Sequence, residues 1–183
     1  RYIMQNTSLP VICLTKSIFE DGFVRITGSF AEVEALLKIN ATFIAVDGTY
    51  RIREKQYTGP DYIKKIKKMY PKILVMADIA TSQEAFACYE AGADCISTTL
   101  CGYTPDTVFV NQEYPSFSLL EECIKFVPRD FPIMAEGRFN KPEYAAQAIE
   151  NGAWAVIVGT SITRPQIITR WYVNAIKKKV GQI

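Results

Sequence analysis

Residues 73–94, ILVMADIATSQEAFACYEAGAD, set the pattern from which the fold follows. An unbroken apolar run, residues 73–77, ends in the lone carboxylate Asp78 and passes into Thr81-Ser82-Gln83-Glu84, the signature of a helix capping box. Gly92 then closes the helical stretch and delivers the chain to the next apolar run. A strand that is apolar without alternation is covered on both faces, as in parallel sheets whose crossovers are helices. The stretch reads as one βα unit.

The same unit recurs outward in both directions. Residues 11–14, 43–46, 95–98, 133–135 and 155–158 are further short apolar runs, giving six expected strands with 73–77. Ser29 ahead of residues 31–39, and Pro142 within Asn140-Lys141-Pro142-Glu143, announce two more helices. Asn151-Gly152-Ala153-Trp154 occupies the place that Ala91-Gly92-Ala93-Asp94 holds in the quoted unit. No linker interrupts the pattern, so residues 1–183 are expected to form a single domain.

Alternating strands and helices suit a doubly wound sheet or a barrel. Lys16, Asp47, Asp78, Thr98, Glu136 and Gly159 fall at or just past the strand C-terminal ends, the face on which barrels carry their chemistry. The strand pattern alone does not choose, but these positions lean the expected α/β fold toward a (β/α)8 TIM barrel. Six strands are two short of eight, so the domain is expected to be N-terminally incomplete, lacking its first two βα units. An edge bearing Val11, Ile12, Ile157 and Val158 would then be open, and either a homodimer partner or a further segment of chain is expected to cover it.

Composition narrows the function. A net charge of +2, from 21 basic and 19 acidic residues, makes no electrostatic case for nucleic acid or anionic lipid. The lysine runs at 64–68 and 177–179 read as solvated faces of amphipathic helices. No stretch approaches the ~20 apolar residues of a membrane helix, and no membrane association is expected. Five cysteines without a CxxC spacing fit a reduced, cytoplasmic setting. Histidine is absent, which removes the commonest metal ligand and leaves proton transfer to Lys, Glu, Asp, Tyr or Cys.

Three stretches carry candidate chemistry. Val158-Gly159-Thr160-Ser161-Ile162-Thr163-Arg164-Pro165 leaves a buried strand through small residues into a helix, which suits an anion cradle. Gly159 would admit the anion, the amides of Thr160 and Ser161 would point at it, and Arg164 would add charge. A tight turn with a capping hydroxyl is the competing reading. Met134-Ala135-Glu136-Gly137-Arg138 sets a carboxylate at a strand tip, as an acid or base or as the partner of Arg138 or Lys16 in a loop-tying ion pair. Lys16, after Pro10-Val11-Ile12-Cys13-Leu14-Thr15, is a base or Schiff-base amine if desolvated, and otherwise a surface lysine. Asp78 and Asp47 each read equally well as a hydroxyl acceptor or a cap.

Taken in order, PVICLTK, FIAVDGT, MADIAT, ISTTLCGYT, AEGRFNKPE and AVIVGTSITRP resemble the N-acetylmannosamine-6-phosphate 2-epimerases over nearly the whole chain. The resemblance implies a barrel that interconverts N-acetylmannosamine 6-phosphate and N-acetylglucosamine 6-phosphate in sialic acid breakdown, without a cofactor. It also implies Lys16 and Glu136 as the catalytic pair and Asp78 as a substrate-orienting carboxylate. Gly137, Arg138, Gly159, Thr160, Ser161 and Arg164 would hold the phosphosugar. The family's lysine is usually followed by Arg-Asp, where this chain has Ser17-Ile18. A Schiff-base aldolase using Lys16, and a barrel that binds sugar phosphate without turnover, are the alternatives.

Overall fold

The computed structural model describes residues 1–110 and 112–180. Five parallel strands, β3 (Phe43–Asp47), β4 (Leu74–Asp78), β5 (Cys95–Ser97), β6 (Ile133–Glu136) and β7 (Ala155–Ile157), form one sheet in the order β3-β4-β5-β6-β7. Strand order follows chain order throughout. A doubly wound sheet must reverse direction at a switch point, and this one does not.

Helices alternate with these strands: α2 (Phe30–Lys38) before β3, α3 (Gly59–Met69), α4 (Ser82–Glu90), α5 (Phe117–Phe126) and α6 (Pro142–Glu150) in the crossovers. Their starts are local. Ser29 and Thr81 each accept from the backbone amide three residues on, and Glu32 and Glu84 return the bond, completing two capping boxes. Pro142 takes the first turn of α6. Gly92 and Gly152 follow α4 and α6 with φ of +93° and +99°, the left-handed backbone that lets each helix end and the next strand begin. Beyond β7 lie a single turn, α7 (Thr160–Thr163), and α8 (Pro165–Val180). The two lysine runs fall on α3 and α8.

The strands have an apolar layer on each face. Ile44, Val46, Val75, Ala77, Ile96, Ile133 and Ala135 pack with buried residues of α2 to α6, among them Leu36, Ile63, Cys88, Leu120 and Ala148. Ala45, Met76, Cys95 and Met134 pack together on the other face with Ile12, Ala155 and Ile157. Period-2 alternation within each strand separates the two sets. Burial on both faces is why the strands read as continuous apolar runs.

Residues 11–14 depart from the expectation of a sixth strand. Cys13 alone bridges β3: its amide donates to Phe43 O at 2.9 Å, and the Ala45 amide donates to Cys13 O at 2.9 Å. Two residues later Thr15 is already committed elsewhere, accepting from the Thr27 amide at 3.0 Å. The chain peels into an unexpected antiparallel hairpin of β1 (Lys16–Ile18) and β2 (Val24–Ile26), with Ser17 opposite Arg25. Four of the five cysteines are buried, all five are free thiols, and Cys13 is half-buried. Among the described residues no helix is long and apolar enough to cross a membrane. A short helix, α1 (Tyr2–Gln5), precedes all of this.

Candidate active site

A cleft of about 1140 Å³ opens at the C-terminal ends of the parallel strands. Its wall brings together Lys16, Glu136, Gly137, Arg138, Gly159, Thr160, Ser161 and Arg164, which come from distant parts of the chain. Asp78 does not reach that wall.

Glu136 is the last residue of β6 and is held from two directions by the end of β5 and the two residues that follow it. The Thr98 hydroxyl accepts from the Glu136 amide and donates to the Glu136 carbonyl, both at 2.9 Å. On the opposite face of the strand, Ser97 Oγ lies 3.0 Å and Thr99 Oγ1 2.8 Å from Glu136 Oε2. The carboxylate is thus fixed by hydroxyls rather than by a cation: among the described residues no ion pair joins it to Arg138 or Lys16. Gly137 follows with φ +103°, turning the chain away so that the carboxylate stands at the cleft.

Arg138 is turned the other way. Its Nη1 donates to Cys101 O at 2.8 Å and its Nε to Tyr114 O at 3.0 Å, while the guanidinium carbon sits 5.8 Å from the Tyr103 ring centroid. It clamps the β5–α5 loop that forms one side of the cleft. Lys16 opens the hairpin, paired with Ile26, and is exposed rather than desolvated. The burial expected to tune it is therefore not there, because residues 11–14 are at most half-buried on the sheet edge.

The two aspartates differ in kind. Asp47 is wholly buried and belongs to its own loop, ion-paired with Arg51 and Arg53 and accepting from the Thr49 hydroxyl at 2.7 Å. Asp78 is also buried, but Thr99 at 2.8 Å is the one hydrogen-bonding group that reaches its carboxyl among the described residues. Burial first, and the nearby Glu136 charge second, hold the Asp78 carboxyl well above the usual carboxylate range. The Thr99 bond and the more distant Lys16 oppose them and lose.

On the far wall, Gly159 caps α7, and a Cβ placed there would meet nothing within 4 Å. The leading amides of that turn have no partner within the helix. The Ser161 hydroxyl donates to Phe139 O at 2.7 Å, tying this loop to the one after Glu136. Arg164 follows at the rim. Sequence reasoning missed Ser97, Thr99 and the hairpin residues Phe23, Val24 and Ile26 as parts of the site. The one available signal was the run of three hydroxyls, Ser97-Thr98-Thr99, at the end of a buried strand.

A parallel sheet wound in chain order, with its cleft at the strand C-termini, defines the class of βα-repeat enzymes. Residues 1–178 match the family model described as "Putative N-acetylmannosamine-6-phosphate epimerase". Proteins named "Putative N-acetylmannosamine-6-phosphate 2-epimerase" are similar: that of Caldanaerobacter subterraneus subsp. tengcongensis is 42% identical over 97% of this chain and 73% of its own length. That of Clostridioides difficile is 41% identical over 96% and 76%. The solved N-acetylmannosamine-6-phosphate 2-epimerase of Clostridium perfringens superposes with a TM-score of 0.83 at 37% identity, covering 94% of this chain and 73% of that one. The chain belongs to the N-acetylmannosamine-6-phosphate 2-epimerase family.

Proposed function

We propose that this protein interconverts N-acetylmannosamine 6-phosphate and N-acetylglucosamine 6-phosphate, in sialic acid breakdown, by removing the proton at carbon 2 and returning one on the opposite face. The observation that carries this reading is the cleft itself. It holds one hydroxyl-fixed carboxylate, Glu136, and one exposed ammonium, Lys16, with no ion pair joining them and with the open Gly159 loop beside them. Glu136 and Lys16 act as the acid–base pair. The cationic Lys16 also steadies the enolate that forms when the open-chain aldehyde acidifies carbon 2. The amides of Thr160 and Ser161, with Gly137 and Arg164, bind the phosphate far from the reacting carbon and so supply positioning energy. Arg138 acts on substrate through the loop it clamps. The exposure of Lys16 counts against a free-amine role, whether Schiff-base nucleophile or base, whereas an ammonium in the cleft still serves as a proton donor and steadies the enolate, which favours the epimerase over the aldolase.

The parallel strands are read as part of the wall of a (β/α)8 barrel within one domain. Sequential order, helices on one face and a second apolar layer on the other all support this. Trp171, Tyr172, Val173 and Ile176 leave an apolar face of α8 exposed, which supports a homodimer. A cytoplasmic setting accords with five free thiols.

The test is epimerisation in deuterium oxide. Carbon 2 deuterium in both epimers is expected, with kcat reduced roughly 10²–10⁴-fold by Glu136→Gln and by Lys16→Met. Near-parental turnover in both variants would overturn the assignment of the pair.

A further inference from the structure

Four oxygen contacts lie between Asp78 and Glu136. Ser97 Oγ is 2.6 Å from Thr99 Oγ1 and 3.0 Å from Glu136 Oε2. Thr99 Oγ1 is 2.8 Å from Asp78 Oδ1 and 2.8 Å from Glu136 Oε2. Each hydroxyl owns a single proton. If both carboxyls were ionised, two protons would have to serve all four contacts, and two of them would set lone pairs against each other at hydrogen-bonding distance. One carboxyl proton reduces the conflict from two contacts to one. An Asp78 O–H then donates to Thr99, Thr99 donates to Glu136, and Ser97 donates to Thr99. Only the longest contact, Ser97 to Glu136, is left without a proton.

We propose that Asp78 and Glu136 hold one proton in common, and that Thr99 is the positioning residue through which it passes from one to the other. At rest the proton sits on Asp78, because that carboxyl is wholly buried whereas Glu136 is half-exposed to the cleft. The transfer conserves protons and charge. As Asp78 gives its proton to Thr99 Oγ1, the proton already on Thr99 moves to Glu136, leaving an Asp78 carboxylate and a Glu136 carboxylic acid. Epimerisation needs Glu136 as a base in one direction and as an acid in the other, and the buried partner supplies the second state without water entering. The other charges that act on Asp78 are Asp47 and Lys16: Asp47 disfavours a second charge beside it, and Lys16 weakly favours one.

This rests on Glu136 acting at carbon 2, so the decisive measurement is made without turnover. Infrared spectra of the full chain at neutral pH are expected to carry a protonated-carboxyl stretch that disappears in Asp78→Asn and shifts in Thr99→Val. Absence of that stretch in the parent, or its survival in Asp78→Asn, would overturn the shared proton whether or not the chain epimerises. Kinetically, Thr99→Val is expected to lower kcat about 10–100-fold, below the loss from deleting the acid or base itself, with KM little changed. Thr99→Ser, which restores the hydroxyl, is expected to recover most of it. Parental kcat in Thr99→Val, or no recovery in Thr99→Ser, would overturn the relay.

Discussion

Gly159→Ala separates a glycine kept for a ligand from one kept for the fold. Gly159 has φ −99°, within reach of any residue, and a Cβ there meets nothing within 4 Å. The protein has no internal reason to refuse the methyl. Stability is expected to hold within about 0.5 kcal/mol, the usual range for a substitution that touches nothing. A phosphate that approaches the Thr160 and Ser161 amides, however, must pass close to this backbone, where the methyl would stand. Losing one hydrogen bond to a charged group costs about 1.5–3 kcal/mol. At about 1.4 kcal/mol per tenfold, that is a rise of roughly 10–150-fold in Kd for the sugar phosphate. Calorimetric titration with substrate in a Glu136→Gln background, alongside thermal melting of the same preparations, reads both quantities. Unchanged affinity would refute the cradle, and a large drop in Tm would refute the premise that the site is open.

Gly59→Ala is expected to do the reverse, because a Cβ there falls against the backbone of Gly48 and within 2.6 Å of Thr49 O. Overpacking of about 1–3 kcal/mol should lower Tm by roughly 2–12 °C for a chain of this size, and an unaltered melt would contradict it. Asp78→Asn is expected to change the pH dependence of stability. A carboxyl raised in the folded state contributes stability that is complete below its unfolded pKa of about 4 and is lost as pH rises towards the folded value. The variant should therefore lack this decline and match or exceed the parent's Tm at pH 7. Glu84 is raised as well, chiefly by burial, but its slope is common to both proteins and cancels in the difference. A Tm gap that does not change between pH 4 and 7 would sink the reasoning.

Most of the sheet was legible because its signals are local. The apolar runs of β3 to β7, the Ser29 and Thr81 boxes, Pro142, Gly92 and Gly152 each act within a few residues. Strand ends came within a residue of those observed. The hairpin was not legible: its strands are three residues long, too short for alternation to register, and its buried Arg25 depends on Asp21 for an ion pair and on Phe19 for a stacking surface. Lys16 and Glu136, which share the cleft wall, stood out because each follows a short apolar run, and a carboxylate such as Glu136 at a strand tip is costly unless used. Ser97 and Thr99 were not, since a hydroxyl is unremarkable in sequence, and their partners lie 21 to 39 positions away in the chain.

What joins these residues is parity. Ala45, Met76, Cys95 and Met134 lie on the inner, helix-free face, so the residues two further along, Asp47, Asp78, Ser97 and Glu136, must emerge on that same face at the strand tips. Register sets Asp47 beside Asp78 and Asp78 beside Ser97, with Thr99 next to Glu136. Three carboxyls crowded onto one low-dielectric level cannot all remain bare anions. Each meets a different answer. Asp47 is matched by the guanidinium groups of Arg51 and Arg53 and becomes structure. Among the described residues no cation contacts Asp78, and burial pushes it towards its protonated form. Glu136, on the cleft side and held by hydroxyls among the described residues, is the one to which the proposed function gives the proton exchange with substrate. Environment rather than residue type thus divides the labour, which is how neighbouring carboxyls come to play opposite roles in acid–base catalysis. Under the proposed shared proton, a site without a single histidine carries two protonation states.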